Sequence, residues 1–182
     1  MSKVHEAIDG RLREFVLSQP VFFVATAPTE GHVNVSPKGT RGTFAVLGEH
    51  RVAYLDYTGS GVETIAHLRD NGRITLMFCA FAGPPNIVRL HGHGEAVLLD
   101  DPRFPSLRAA FSEDHEDHGL RSIIVVDVDR VSDSCGFAVP LLDYAGERTL
   151  LSEWAGRKST EELVTYRKER NATSIDGMPG LG

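Results

Sequence analysis

The sequence predicts a mainly β protein, a closed or partly closed antiparallel barrel with a few short helices. Three observations support this fold class. Runs rich in β-branched and aromatic residues recur between residues 21 and 131. Short turns containing glycine, proline or asparagine separate most of these runs. Only two or three short segments in the same region have helical periodicity. Many strands joined by short turns are typical of a barrel.

The first segment with helical periodicity covers residues 4–17, where Ile8, Leu12 and Phe15 recur on one face before Pro20 ends it. Strands follow, predicted from alternating or continuous apolar runs that turn residues bound. The predicted strands cover residues 21–27, 32–36, 43–47, 51–56, 73–81, 86–99 and 120–131. The third and fourth of them form a hairpin around residues 48–50.

One short unit, residues 52–78, combines a strand, a glycine-containing turn, a helix and a second strand. The turn at residues 58–61 precedes the helix, where free backbone N–H groups and the positive end of the helix dipole can bind a phosphate. Ser60, with Glu63 three residues later, predicts a capping box, and residues 71–72 predict the helix end. Since the turn matches neither of the common nucleotide-binding glycine patterns, a capped connector without a ligand is the alternative.

Helices are also predicted over residues 102–111 and over the charged segment 152–170. The tail that follows, residues 171–182, has no periodicity. It either frays or lies across another surface, such as a partner subunit.

Length and charge narrow the classes of function. With 182 residues and no evident linker, we expect one domain, residues 1–182, with a core at about 10–135 and a helical extension at about 136–182. The net charge of −6, without a basic stripe, disfavours nucleic acids and acidic membrane surfaces as partners. The N-terminus lacks the apolar core of a signal peptide, and no apolar run reaches membrane-spanning length. We therefore expect a soluble, cytoplasmic protein.

Other chemistry-bearing residues form weaker patterns. Cys79 lies in an apolar run and Cys135 in a polar turn, which indicates two reduced thiols with unrelated roles. His91 and His93 share a strand face, but no third ligand has a useful spacing, so a structural role is favoured over a metal site. The acidic stretch 112–119, with His115 and His118, is expected to be a solvated loop, and weak cation binding is the alternative. No Ser-His-Asp, Cys-His or paired-carboxylate pattern is recognisable, and no metal site is predicted.

Three segments, at residues 20–39, 57–78 and 89–97, together resemble the pyridoxamine 5'-phosphate oxidase-like family of FMN-binding split barrels. The similarity covers roughly residues 10–135. It implies a homodimer of six-stranded antiparallel split β-barrels with flanking short helices and a C-terminal helix and tail. It also implies one FMN in each of two clefts between the subunits, where FMN transfers electrons and the protein supplies position and electrostatics.

The resemblance also implies where the cofactor lies. In that family the strand ending in a Lys-Gly pair borders the flavin, so Lys38 would serve the flavin N5, a flavin anion or an acidic substrate. Thr58 would meet the ribityl or phosphate end, and Arg89 would clamp an anionic group. Ordinary solvated or core side chains are the alternatives. The expected cofactor-binding residues are Asn34, Val35, Ser36, Pro37, Lys38, Gly39, Tyr57, Thr58, Gly59, Ser60, Gly61, Thr64 and Arg89.

Two departures from the family bear on the reaction. Authentic pyridoxamine phosphate oxidases carry an Arg-Lys pair at the start of the helix that grips the FMN phosphate. This chain has Glu63 and Thr64 there, so either another cation must compensate or the ligand must shift. The candidates are Lys38, Arg41, Arg69, Arg73 and Arg89. The family's arginine at the start of the lysine-bearing strand is replaced near Val33, and its C-terminal Arg-x-His substrate motif is absent from the tail.

The second departure removes groups that would hold the phosphate of pyridoxamine 5'-phosphate and position its amine, which disfavours this molecule as the substrate. We expect FMN-dependent two-electron transfer involving another small molecule. A reductase that uses the deazaflavin F420, and a non-catalytic flavin- or haem-binding protein, are the alternatives. A long polyanionic F420 tail would favour a more basic groove than this acidic chain suggests.

Overall fold

The computed structural model describes residues 2–113 and 115–181. Within them the chain forms eight strands and five helices. The strands are β1 (Lys3–His5), β2 (Val21–Thr26), β3 (Asn34–Gly39), β4 (Phe44–Gly48), β5 (Arg51–Tyr57), β6 (Arg73–Cys79), β7 (Ile87–Leu98) and β8 (Leu120–Ser134). The helices are α1 (Gly10–Ser18), α2 (Glu63–Asn71), α3 (Phe104–Arg108), α4 (Leu150–Gly156) and α5 (Thr160–Arg170).

All the strand pairs are antiparallel, and the order along the sheet is β3-β2-β6-β7-β8-β5-β4, with β1 added to the end of β8. Among the described residues no ladder joins β3 to β4, so the curled sheet stays open between them. The predicted mainly β split barrel is confirmed, although it has eight strands where six were predicted. None of the described helices is both long enough and apolar enough to cross a bilayer.

Alternation of side chains along the strands produces the core. In β2 every second residue is buried, including Phe22 and Val24, because successive side chains point to opposite faces of a strand. The larger apolar cluster lies inside the curl and includes Leu12 of α1 and Ile65 of α2. A smaller cluster around Leu120 and its neighbours packs beneath α3. The two short helices α1 and α2 thus close one side of the sheet.

The first predicted helix, at residues 4–17, is wrong in its first turns. Residues Lys3–His5 form β1 and pair with β8, and α1 begins only at Gly10, after Asp9 accepts a hydrogen bond from the Leu12 amide at 2.8 Å. The unpaired edge of β8 offers backbone partners that local periodicity does not report.

The predicted capping box at Ser60 is also wrong. Helix α2 begins at Glu63 with Val62 as its N-cap and no side-chain cap. Its end is as predicted, since Gly72 has φ of 71° and donates its amide to Leu68.

The C-terminal region contains two helices where one was predicted over residues 152–170. A capping box of Ser159 and Glu162 starts α5 anew after α4. The helix predicted at residues 102–111 is shorter, and only Phe104–Arg108 is helical. The tail does not fray: Asn171 and Ser174 are buried against the same chain.

Candidate functional site

A cavity of about 460 Å³ opens beside β3, between the turn that precedes α2 and the start of α4. We call it the main cavity. Its volume lies within the usual range for small-molecule sites. Its wall is formed by Ser36, Pro37, Lys38, Gly39, Thr40, Thr43, Leu55, Tyr57, Thr58, Gly59, Gly61, Glu63, Thr64, Arg121, Arg148, Leu150 and Leu151. The wall therefore combines hydroxyl groups, three cations and an apolar side.

The structure brings most of the predicted cofactor-binding residues to this one place. Those that line the main cavity are Ser36, Pro37, Lys38, Gly39, Tyr57, Thr58, Gly59, Gly61 and Thr64. Asn34 lies behind the wall and donates a hydrogen bond to the Thr64 hydroxyl at 3.3 Å. Val35 projects from the opposite face of β3. Ser60 is exposed, and Arg89 lies on β7, where it donates to the Ser134 hydroxyl; neither lines the cavity.

A buried ion cluster fixes the base of the main cavity. Asp56, which is 1% exposed, accepts hydrogen bonds from Lys38 Nζ at 3.2 Å and from Arg121 Nε at 2.7 Å. The Ser122 hydroxyl donates to the same carboxylate at 3.2 Å. Burial alone would raise the pKa of Asp56, but Lys38 and Arg121 outweigh it and lower this pKa to about 2. Lys38 is therefore held at the cavity wall by an internal carboxylate, not left in a solvated turn.

Asp56 and Arg121 were missed at the sequence level. Asp56 is the single charge in residues 52–57 of β5, and Arg121 is the single charge in residues 120–126 of β8. The two strands are neighbours, and Asp56 pairs in register with Ser122. Since a buried charge needs an opposite partner, two such residues in apolar strands could have been matched to each other.

The turn before α2 has unused donors but also an internal anion. The Thr58 amide donates to Gly119 at 2.8 Å, whereas the amides of residues 59–61 donate to no other described group. The Glu63 carboxylate folds back over Gly61 and accepts the Ile175 amide at 3.2 Å. A second anion at this helix end would therefore meet the Glu63 charge.

Helix α5 and the tail hold this turn in place. Arg167 Nε donates to the Thr58 hydroxyl at 2.8 Å. Asn171, fully buried, donates to the Gly59 carbonyl at 2.9 Å and accepts from Arg121 Nη1 at 3.0 Å. The tail thus connects the turn to the buried ion cluster, a role that its sequence did not predict.

A second cavity of about 320 Å³, which we call the side cavity, adjoins the main one. The residues common to both walls are Thr40, Tyr57, Thr58, Arg148 and Leu151. Thr40 has φ of 72°, the sole positive value for a non-glycine residue in the described chain. For a β-branched residue such a conformation costs about 1–3 kcal/mol, and the surrounding structure must impose it.

Of the five cations proposed to replace the family's Arg-Lys pair, Lys38 alone lines the main cavity. Arg41 lies over the Tyr144 ring, with its Cζ 4.8 Å from the ring centroid, and Arg69 donates to the Gly180 carbonyl. Arg73 lies at an open groove on another face of the sheet. The other two cations at the cavity, Arg121 and Arg148, were not proposed.

Among the residues that the structure describes, no group of three or more His, Cys, Asp or Glu side chains is arranged to hold a metal ion. The Nδ1 atom of His91 lies 3.1 Å from the Thr75 hydroxyl oxygen. Burial and the nearby Arg130 and Arg89 lower the pKa of His91. The cysteines are free thiols, with Cys79 buried and Cys135 exposed.

Comparison with known sequences gives a consistent result. The sequence profile described as "Pyridoxamine 5'-phosphate oxidase" matches residues 8–135. A relative from Aspergillus flavus, described as "Pyridoxamine 5'-phosphate oxidase family protein ustO", is 42% identical over 192 aligned residues, which cover 97% of this chain and 77% of the relative.

Solved structures share the fold at low sequence identity. A FAD-binding protein from Mesorhizobium loti has a TM-score of 0.53 at 15% identity and covers 73% of this chain and 95% of its own. A protein related to general stress protein 26, from Clostridium acetobutylicum, has a TM-score of 0.52 at 16% identity, with coverages of 67% and 84%. A FMN-binding protein from Syntrophomonas wolfei has a TM-score of 0.50 at 16% identity, with coverages of 68% and 86%.

Proposed function

Because the chain belongs to the pyridoxamine 5'-phosphate oxidase family, we propose that it binds FMN in the main cavity and exchanges two electrons with a small organic substrate. One observation carries this proposal: nine of the thirteen residues predicted to contact the cofactor line a single cavity of about 460 Å³. FAD- and FMN-binding proteins with the same fold support a flavin as the cofactor.

The wall of the main cavity suits an amphipathic planar ligand with a polyol chain. Leu55, Leu150 and Leu151 offer apolar contact, and the hydroxyls of Thr58 and Thr64 can bind a ribityl chain. The free amides of residues 59–61 add donors at the end of the cavity. When bound, the flavin supplies the electron transfer, and the chain supplies position and charge.

Lys38 is the residue we place against the flavin ring. Its ammonium contacts one oxygen of Asp56, and an ammonium has three N–H donors, so others remain for a ligand. The strand carries it there because alternate residues of β3, Ser36 and Lys38, face the cavity side. Since Asp56 and Arg121 fix its position before the ligand arrives, little ordering cost is left for binding.

Glu63 affects how the proposed FMN phosphate can be held. Its carboxylate lies at the amino end of α2, where the oxidases have a cationic pair. A phosphate near Glu63 would lose Coulomb energy instead of gaining it. The FMN phosphate is therefore expected at another cation of the chain. A substrate other than pyridoxamine 5'-phosphate is proposed on separate grounds, because the chain lacks the family's arginine near Val33 and its C-terminal Arg-x-His motif.

We also propose a homodimer with the cofactor between subunits. The outer face of the sheet carries Val35, which is 60% exposed, together with Phe23, Pro37 and Met77. Register places Pro37, Phe23 and Met77 side by side on three adjacent strands. A contiguous apolar face is typical of a subunit interface, and a second copy on it would also border β3 of the main cavity.

The test is to purify the protein, record its absorption spectrum and titrate it with FMN while sedimentation equilibrium gives the mass. We expect oxidised-flavin bands and one FMN per chain in a dimer. Lys38→Ala should weaken FMN binding about tenfold, because a charge-assisted contact is lost. Lys3→Ala, an exposed lysine of β1, is the matched control.

Three results would contradict the proposal. A Soret band would indicate haem, and a colourless protein that binds F420 but not FMN would indicate the deazaflavin. Equal FMN affinity and equal reduction rate in Lys38→Ala and Lys3→Ala would remove Lys38 from the site.

A further inference from the structure

We propose that Arg148, at the junction of the main and side cavities, binds an anionic group, a phosphate monoester or a carboxylate, of the molecule that occupies the cleft. This inference rests on the proposed function, because it assigns the polar end of the same site. It names a residue outside the segment, residues 8–135, that the family profile matches.

The lysine and arginines that line the two cavities differ in whether they have partners within the chain. Lys38 and Arg121 both contact the Asp56 carboxylate, at 3.2 and 2.7 Å. Arg121 also donates to the Gly61 carbonyl and to Asn171. Arg148 lines both cavities and forms no hydrogen bond or ion pair with any residue that the structure describes. An unpaired guanidinium at a concave site can bind phosphate or carboxylate through two parallel N–H donors.

Contacts of the preceding residues hold Arg148 at the cavities. The preceding residue, Glu147, accepts the Arg41 amide at 3.1 Å and the Tyr144 hydroxyl at 2.8 Å. The Arg41 guanidinium lies over the Tyr144 ring. These contacts attach the C-terminal extension to the turn after β3. Both donors bind Oε1 of Glu147, the acidic residue adjacent to Arg148 in the chain. Glu116 and Glu147 line the side cavity, so the proposed anion is placed at Arg148, where the two cavities meet.

A residue with a strained backbone, Thr40, lies where the two cavities meet. Thr40, with its positive φ, lies in the wall of both cavities beside Arg148. The Thr40 carbonyl accepts the amide and the hydroxyl of Thr43, at 3.3 and 2.7 Å, which holds this conformation. Backbone strain concentrates at ligand sites, where a precise position is worth its cost. The strained Thr40 and the unpaired Arg148 therefore line the same opening.

The experiment compares Arg148→Gln with Arg157→Gln. Arg157 is 79% exposed at the end of α4 and lines neither cavity. For each protein we would measure Kd values for FMN and for riboflavin by flavin fluorescence. We would also follow inorganic phosphate and acetate binding to the flavin-loaded protein by changes in its absorption spectrum. Thermal stabilisation by phosphate without flavin is the fourth measurement.

Two outcomes support the proposal and identify the source of the anion. If Arg148→Gln weakens FMN binding at least about tenfold and leaves riboflavin binding unchanged, Arg148 holds the flavin phosphate. If both flavins bind as before but the spectral response to phosphate or acetate disappears, Arg148 holds a substrate anion.

The proposal is overturned if Arg148→Gln and Arg157→Gln give the same values in every titration. Failure of the proposed function has a different signature, since the wild-type protein would then bind no flavin. In that case, loss of phosphate stabilisation in Arg148→Gln would still support the anion site, and unchanged stabilisation would reject it.

Discussion

Replacing Asp56 by asparagine should lower the free energy of unfolding by about 3–5 kcal/mol at pH 7. The carboxylate is 1% exposed and Arg121 is 6% exposed, so the guanidinium would stay buried without its counter-charge. Lys38 has an exposed fraction of 24% and can partly recover hydration. The loss therefore comes mainly from Arg121.

The pH dependence follows from the same carboxyl group. Its pKa falls from the ordinary value of 3.8 to about 2 in the fold, because Lys38 and Arg121 outweigh the effect of burial. A lowered pKa stabilises the fold by about 2 kcal/mol above pH 5, and this stabilisation is lost as the pH falls through 3.8 towards 2. About 1 kcal/mol should be lost by pH 3. Asp56→Asn has no such group, so its deficit relative to the wild type should narrow on acidification.

The assay is urea unfolding followed by circular dichroism at pH 7, 5, 4 and 3. Asp127→Asn is the control, since Asp127 is 71% exposed and pairs with Arg51 at 3.4 Å on the surface. That change should cost at most about 0.5 kcal/mol. A deficit below about 1 kcal/mol for Asp56→Asn at pH 7, or a deficit that is the same at pH 7 and pH 3, would refute the reasoning.

Two further substitutions test the packing around the site. Gly92→Ala should lower the free energy of unfolding, measured in urea, by about 3 kcal/mol, because a Cβ there would overlap the Asp127 carbonyl of β8. Gly48→Ala is the control and should be near neutral, because a Cβ at Gly48 meets open space. Equal effects of the two substitutions would contradict this reasoning. Asn171→Ala should lower the free energy of unfolding by about 2 kcal/mol, because the Gly59 carbonyl and Arg121 lose a partner. It should also speed exchange of the Thr58 amide, which is bonded to the Gly119 carbonyl in the same turn. Unchanged stability and exchange would mean that the tail does not hold the turn.

Much of the barrel could be predicted from local pattern. Alternation and apolar runs gave seven strands whose positions agree with the structure to within a few residues. The end of α2 at Gly72 followed from the conformational freedom of glycine. The short strand β1 could not be predicted in this way, since three residues have no measurable period and become a strand only by pairing with β8.

The candidate site could likewise be predicted only in part from the sequence. Resemblance to the family placed Lys38 and Thr58 at one cleft, and both line the main cavity. The capping prediction at Ser60 failed because Glu63 instead lies over Gly61 and binds the Ile175 amide, a partner 112 residues away. Arg148 was overlooked since nothing around it in the sequence distinguishes it from other surface arginines.

The sequence by itself determined the alternating burial that makes this protein a β-barrel, because side-chain direction in a strand depends only on position along the chain. Tertiary structure decided which charges meet. Asp56 and Arg121 are 65 residues apart and become partners only when β5 and β8 pair in register. The folded chain likewise brings Asn171 to the turn before α2 and Arg148 to the mouth of both cavities. Compensation of a buried charge is a condition on the whole fold, and no local pattern expresses it.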